Sequence, residues 1–513
     1  MASHILLGKE CVSNYSLEEL KRYSKILGLR RDFVTIDDAC SEISVFFTKH
    51  NILDELKLKN ILEETLNLNM IIYPSEILSI TDNFQILTNY SKKIKPIGDI
   101  SANGFIRKLV YHFDNIDYPV VLKSINDAEG DNLVYEFLVG QCVNFMSAYY
   151  PCFSKTFCCG KYKNKISWKL FYDLISETTL SRPINEYIDI LDSSNLNNII
   201  LNGCANSQLI CIFTQYIPIY CSLEDYIDKF CVVKRFKNPE RYVSFFQKDY
   251  SSRLYTLVNI LHMIYQLLAS FSDFFTHYDL HTSNAVLVKL PKGKYAQINY
   301  HQPDGSLVST KTKFIPIILD YGHSFVDCNG LHQVIRDITN TNNSEDIIRI
   351  VCNNDSDNPA SSDCNDICGN QVGYNWIPDY DKSKSTFSTD SQHHYFIDKT
   401  RPNRSHDLRI LDMLKRKYDY SEIPSSEYIK RVFIDDFLNK FELWDERYGT
   451  PENINPNLDK IYNVHTASKL LTDIINSPDF IRDNDAIYSM KTLYGTIDIW
   501  TDIRKPFIFT PAI

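Results

Sequence analysis

Leu254, Leu257, Val258, Leu261, Ile264 and Leu268 recur at helical spacing, and the run ends at Phe271 just ahead of His277-Tyr278-Asp279-Leu280-His281-Thr282-Ser283-Asn284. The periodicity predicts a buried helix over 252–271. The polar stretch that follows must then be a loop held at the end of that helix. It carries a carboxylate, Asp279, and an amide, Asn284, five residues apart. One can take or orient a proton while the other offers oxygen to a hard cation. Two apolar runs, Ala285 to Leu290 and Phe314 to Leu319, read as strands. The second delivers another acid in Asp320-Tyr321-Gly322, and Pro303-Asp304-Gly305 between the two runs marks an inserted hairpin.

Upstream the texture is β. Phe105 to Phe113 and Tyr118-Pro-Val-Val-Leu-Lys-Ser-Ile125 predict two strands, the second with proline near its start. A helix is expected through Leu133 to Val139, and another buried strand at Leu209 to Phe213. Lys123 falls on the second strand and Glu136 on the helix, 13 residues further on.

With 513 residues, 44% of them hydrophobic and 13% aromatic, the chain can bury a substantial core. Its net charge of −10 argues against nucleic acid as a partner, which would call for clustered cations. Lys92-Lys93-Ile94-Lys95 and Lys415-Arg416-Lys417 read as solvated faces. No segment is expected to approach the apolar length needed to cross a bilayer, a membrane is not expected as a partner, and the N-terminus has no secretory pattern. The 14 cysteines are scattered without a Cys-x-x-Cys pair, a pattern that fits reduced thiols. Residues 340–370, dominated by Asn, Asp and Ser, read as mobile loop.

Taken together, these elements resemble a divergent eukaryotic-type protein kinase over roughly 96–440. His277-Tyr-Asp279, with Asn284, resembles the catalytic loop His-Arg-Asp followed by Asn. Asp320-Tyr-Gly322 resembles Asp-Phe-Gly, with glycine allowing the tight turn beyond the acid, and Val120-Val-Leu-Lys123 resembles the phosphate-gripping strand. The resemblance implies ATP and Mg²⁺ as cofactors. Asp279, His281 and Lys123 take catalytic roles, and Asn284 and Asp320 hold the metal. It implies an acid partner for Lys123, with Glu136 the first choice and Glu129, in the loop Asp-Ala-Glu-Gly-Asp, the second, and it implies that Gly104, Lys123, Glu136 and the backbone from Gln215 to Ile217 contact the nucleotide. It also makes Asp407, in Arg404-Ser-His-Asp-Leu-Arg409, a buried support for the loop backbone, while Ser405 or Asp407 suits the first turn of the helix that follows.

The departures are specific. Only Gly104 survives in register from the Gly-rich loop, with Asp99 and Ser101 where the other glycines would be. Tyr278 replaces the arginine that would read a phosphorylated activation loop, and His281 replaces a lysine. Cys11, Ser16-Leu-Glu-Glu-Leu-Lys21, Gly28 and Cys40 resemble a two-cysteine adaptor that large double-stranded DNA viruses fuse to kinases. Ser16 to Glu19 is a capping box, and the two cysteines are either bridged or simply buried.

The resulting expectation is an α+β, bilobal protein-kinase-like fold with a small helical N-terminal domain. It comprises an adaptor at 1–50, a helical connector at 51–95 and a kinase-like domain at 96–513. The N-lobe of that domain covers about 96–217 and the C-lobe about 218–513, with helices to its end. The expected activity is that of a viral serine/threonine kinase acting on protein substrates in the host cytoplasm, a virus factory or the virion. The N-terminal module would bind a viral or host protein. A pseudokinase scaffold and an aminoglycoside- or choline-kinase-like phosphotransferase are the alternatives.

Overall fold

The computed structural model describes residues 35, 91–98, 104–113, 116–125, 133–191, 209–228, 243–327, 402–417, 427–441 and 461–512. The expected two-cysteine module with Cys11 and Cys40, most of the connector, Asp99, Ser101, Glu129 and the 340–370 loop lie outside them. The fold is mixed α+β. The described residues divide into two compact units, one drawn from 91–137, 156–191 and 209–216, the other from 138–155, 217–327 and 402–512.

The first unit is built on a seven-stranded antiparallel sheet. Its strands are β1 (Ser91–Ile97), β2 (Gly104–Phe113), β3 (Ile116–Ile125), β4 (Thr156–Tyr162), β5 (Thr178–Thr179), β6 (Ile188–Ile190) and β7 (Ile210–Gln215). Their order across the sheet is β5-β1-β2-β3-β7-β4-β6. The β structure therefore begins at Ser91, inside the stretch expected to be helical connector, where Lys93, Lys95 and Pro96 pair with Val110, Lys108 and Arg107. The β2–β3 hairpin is in register from Gly104 opposite Ile125 to Phe113 opposite Ile116. The first turn of α1 (Leu133–Met146) belongs here and buries Leu133, Val134, Tyr135 and Phe137.

Period-two alternation puts Phe105, Arg107 and Leu109 on the buried face of β2. The cation at this core position has a structural task. Arg107 Nε donates to the Phe171 carbonyl at 2.7 Å and Nη2 to the Tyr172 carbonyl at 2.8 Å. These are the last two residues of α2 (Lys165–Tyr172), whose other end is capped by Asn164. The guanidinium thus satisfies C-terminal carbonyls at the negative end of the helix dipole, with the Phe105 ring 4.6 Å below it. Arg107→Met should lower unfolding stability by about 2–4 kcal/mol, because charged-group hydrogen bonds are lost and buried carbonyls are left bare. Urea denaturation would measure it, and an unchanged midpoint would contradict the assignment.

In the second unit, α3 (Leu223–Tyr226) follows β8 (Cys221–Ser222), with the Ser222 hydroxyl capping Asp225 N–H. The long helix is α4 (Val243–Phe271). Besides the predicted stripe, Tyr255, Ile260, Met263, Tyr265 and Leu267 are buried, so α4 is enclosed nearly all round. Ser251–Phe271 is in fact long and apolar enough to cross a bilayer by length and composition, which corrects the expectation, but 89% of that window is buried inside the protein.

Behind α4 come β9 (Phe275–Thr276), β10 (Ala285–Lys289), β11 (Lys294–His301), β12 (Leu307–Thr312), β13 (Phe314–Ile318) and β14 (Phe325–Val326). The inserted hairpin is present as β11 and β12, turning through Gly305 at φ 85°. Past α5 (Arg409–Lys417), α6 (Val464–Ile475) and α7 (Pro478–Tyr488), the chain does not stay helical. It forms β15 (Thr492–Trp500) and β16 (Ile508–Pro511), and β15 pairs in parallel with β11. The alternating burial of Gly495, Ile497 and Ile499 is the strand signal that assignment by position overlooked. Tyr255, on α4, donates to Asp483 on α7 at 2.5 Å and packs against Phe480. Among the described residues Cys152, Cys158, Cys159 and Cys211 are free thiols as expected, whereas Cys142 is disulfide-bonded.

Candidate active site

The loop between β9 and β10 carries Asp279 and Asn284, and Asp320 follows β13; the loop's geometry is fixed largely by backbone bonds. His277 Nε2–H donates to the Leu319 carbonyl at 2.9 Å, and its Nδ1 accepts from Asp279 N–H at 3.2 Å. That pairing selects the neutral imidazole, and burial holds the His277 pKa below its ordinary value. Leu319 N–H in turn donates to the Asn284 carbonyl at 3.0 Å, next to the Ala285–Ile318 rung between β10 and β13. The residue preceding Asp320 is therefore bonded to both ends of the 277–284 loop.

Within the loop, Asn284 Nδ2 donates to the Asp279 carbonyl at 2.9 Å and to its Oδ2 at 3.3 Å. With Nδ2 committed, the Asn284 amide oxygen is the atom left to a hard cation. His281 Nε2 stands 3.9 Å from Asp279 Oδ2, while its Nδ1 accepts from Ser283 N–H at 3.2 Å. Burial lowers the His281 pKa; Asp279 opposes that and Arg409 reinforces it. His281 thus faces Asp279 as a neutral N–H donor.

Two residues here, neither of them glycine, have left-handed backbone, Tyr278 at φ 60° and Asp320 at φ 66°. Each costs of order 1–2 kcal/mol, and such strain concentrates where geometry serves a purpose. The turn expected beyond the acid is present, running through Gly322 and His323 and closed by Ser324 N–H to the Tyr321 carbonyl at 3.0 Å, while the left-handed residue is Asp320 itself. Tyr321 is buried, donates its hydroxyl to the Ile318 carbonyl at 2.7 Å and accepts from Ser154 N–H at 2.9 Å. Tyrosine in place of phenylalanine thus keeps the aromatic packing, against Phe153 and His277, and adds hydrogen bonds. Tyr278 is fully buried against His406, so its side chain cannot stand in for a solvent-facing arginine.

Asp407 occupies its expected place. Its two oxygens accept from His277 N–H at 2.8 Å and Tyr278 N–H at 3.0 Å. Neither Ser405 nor Asp407 caps the following turn. The Asn403 side chain does so, accepting from Ser405 and His406 N–H, and Asp407 is left to face the loop. Burial pushes the Asp407 carboxyl up to about 7 from 3.8, against the pull of its two N–H donors. A raised folded-state value means that its stabilising contribution is complete below 3.8, declines as pH rises toward about 7, and is constant above. At 1.36 kcal/mol per unit the decline amounts to at most about 4 kcal/mol. Urea midpoints measured across this window should fall with pH in the wild type and flatten in Asp407→Asn, and an equal slope in both would contradict the assignment.

Arg409, the first residue of α5, was missed by motif reading. Its Nη1 donates to Asp279 Oδ1 at 2.8 Å, with both side chains about three-quarters buried. The available signal was the spacing Asp407-x-Arg409 at a helix start beside a loop in which His281 had replaced a cation.

In the first unit, Lys123 Nζ donates to Glu136 Oε1 at 2.9 Å and Oε2 at 2.7 Å. The expected pair therefore forms, with Glu136 the more deeply buried member. Gly104 starts β2, where a Cβ would meet the Ser124 carbonyl oxygen at 2.2 Å, so close strand approach alone demands glycine here. Gln215 ends β7 opposite Val120. The Ile217 carbonyl accepts from Ile219 N–H at 2.8 Å, which engages one of the backbone groups expected to meet a nucleotide base.

Among the described residues no group of three or more His, Cys, Asp or Glu forms a metal cage. A cation such as Mg²⁺, which takes few protein oxygens and keeps water or phosphate for the rest, needs no such cage, and the residues that could offer it oxygens here are Asn284 and Asp320. A search of protein-family models and of curated proteins finds no match to this chain.

Proposed function

We propose that this chain is a Mg²⁺-dependent ATP phosphotransferase acting on protein serine and threonine hydroxyls, built as a bilobal kinase-like fold. The observation that carries the reading is the bonding of the 277–284 loop, which ties Asn284 to Asp279 and both ends of the loop to Leu319, the residue before Asp320. In this reading Lys123, held by Glu136, grips the ATP phosphates. Asn284 and Asp320 hold the metal, whose charge offsets that developing on the phosphates. Asp279 orients the acceptor hydroxyl and takes its proton. The new O–P bond forms as the bond from the γ-phosphorus to the β–γ bridging oxygen breaks, and its electron pair leaves on ADP. Viral origin, a partner for the N-terminal module and a host-cytoplasmic location belong to the same proposal.

One observation favours a second reading, a nucleotide-binding scaffold without transfer. Arg409 already occupies Asp279 Oδ1, and His281 supplies no charge in place of lysine. An acceptor panel separates the possibilities. With labelled ATP and Mg²⁺, label should enter serine and threonine of protein substrates. Label in free aminoglycoside or choline alone would indicate a small-molecule phosphotransferase, and nucleotide binding without transfer would indicate the scaffold.

A further inference from the structure

We infer that Arg409 is the positioning residue for Asp279, supplying from the helix start the cation that the catalytic loop itself lacks. This deepens the phosphotransferase reading and rests on it.

The argument begins with the segment 403–409. Asn403 caps the turn His406–Leu408, so that Asp407 and Arg409, two residues apart, both reach the loop. Asp407 takes the backbone N–H groups of His277 and Tyr278, and Arg409 takes the side chain of Asp279. A single helix start therefore grips three consecutive loop residues. Tyr278, the middle one, is held in left-handed backbone, a conformation that persists only when its surroundings over-determine it.

The two carboxylate oxygens of Asp279 are divided by this arrangement. Oδ1 receives Arg409 at 2.8 Å. Oδ2 faces Asn284 Nδ2 at 3.3 Å and His281 Nε2 at 3.9 Å, distances that leave it the weaker-bound oxygen. With Oδ1 anchored, the carboxylate cannot rotate freely, and Oδ2 is the atom presented to an acceptor hydroxyl. The proton moves from that hydroxyl to Oδ2 as the O–P bond forms and the bond to the ADP leaving group breaks. Arg409 stays bonded throughout. A guanidinium suits this task better than an ammonium because its planar fork fixes direction as well as charge.

Five proteins test the inference: wild type, Arg409→Gln, Arg409→Lys, and Asp279→Asn with and without Arg409→Gln. Each is measured for ATP affinity and for kcat. Arg409→Gln should lower kcat by about 10²-fold with ATP affinity near wild type, the size expected when a catalytic group is misplaced. Arg409→Lys, which restores charge without the fork, should recover about tenfold of that loss, and added guanidinium should partly rescue Arg409→Gln. If Arg409 acts only through Asp279, adding Arg409→Gln to Asp279→Asn costs no more than about threefold further. Losses that multiply in the double variant, or a kcat in Arg409→Gln equal to wild type, would overturn the inference. A wild type that transfers nothing overturns the proposed function instead, so the two failures are distinct.

Discussion

Asp279→Asn should leave Mg²⁺-dependent ATP binding close to wild type and cut phosphate transfer by at least about 10²-fold, whereas Asp320→Asn should weaken both. The difference follows from position. Asp279 is bonded to Arg409, Asn284 and its own loop, and its proposed task is the acceptor hydroxyl. Asp320 follows Leu319, which is tied to Asn284, and its proposed task is the metal. Isothermal titration with ATP in the presence and absence of Mg²⁺, run beside transfer assays, reads the two effects separately. Equal loss of ATP affinity in both variants would contradict the division of roles.

Lys123→Met is expected to reduce transfer by about 10²–10³-fold, comparable to removal of a single charge-stabilising donor in other active sites. The variant loses the phosphate-gripping cation and leaves the mostly buried Glu136 carboxylate without the Nζ that bridges both its oxygens. Because Lys123 is a quarter exposed, the cost to folding should be smaller, about 1–3 kcal/mol. Glu136→Gln retains a hydrogen-bond acceptor and should lose less activity than Lys123→Met. Transfer by Lys123→Met at the wild-type rate, in protein whose thermal melt shows it folded, would remove Lys123 from the mechanism.

Elements built on periodicity were legible in the sequence. The helix ending at Phe271, the β2–β3 hairpin and the β11–β12 insertion each carry a local repeat or a turn signal that tertiary packing reinforces. Pairings that depend on one long-range match between charge and backbone were less accessible. Lys123 with Glu136, and Asp407 with the loop amides, could be anticipated because resemblance supplied the partners. Arg409 was missed because its partner Asp279 lies 130 residues earlier, and the spacing Asp407-x-Arg409 is too slight a cue to set it apart from an ordinary first-turn arginine. Arg107 breaks the apolar pattern of β2 for a reason that lies on α2, some 64 residues away. The strands β15 and β16 were hidden for a related reason: β15 finds its parallel partner in the inserted hairpin, nearly 200 residues earlier.

The central claim is that Asp279, Asn284 and Asp320 form one working phosphotransfer site, and labelled ATP with Mg²⁺ tests it most directly. Wild type and Asp320→Asn are incubated side by side with a protein acceptor, and transferred γ-phosphate is counted. Label incorporated by wild type and reduced at least about 10²-fold in Asp320→Asn is the predicted result. Equal incorporation by the two proteins, or none by a wild type that binds ATP, would contradict it.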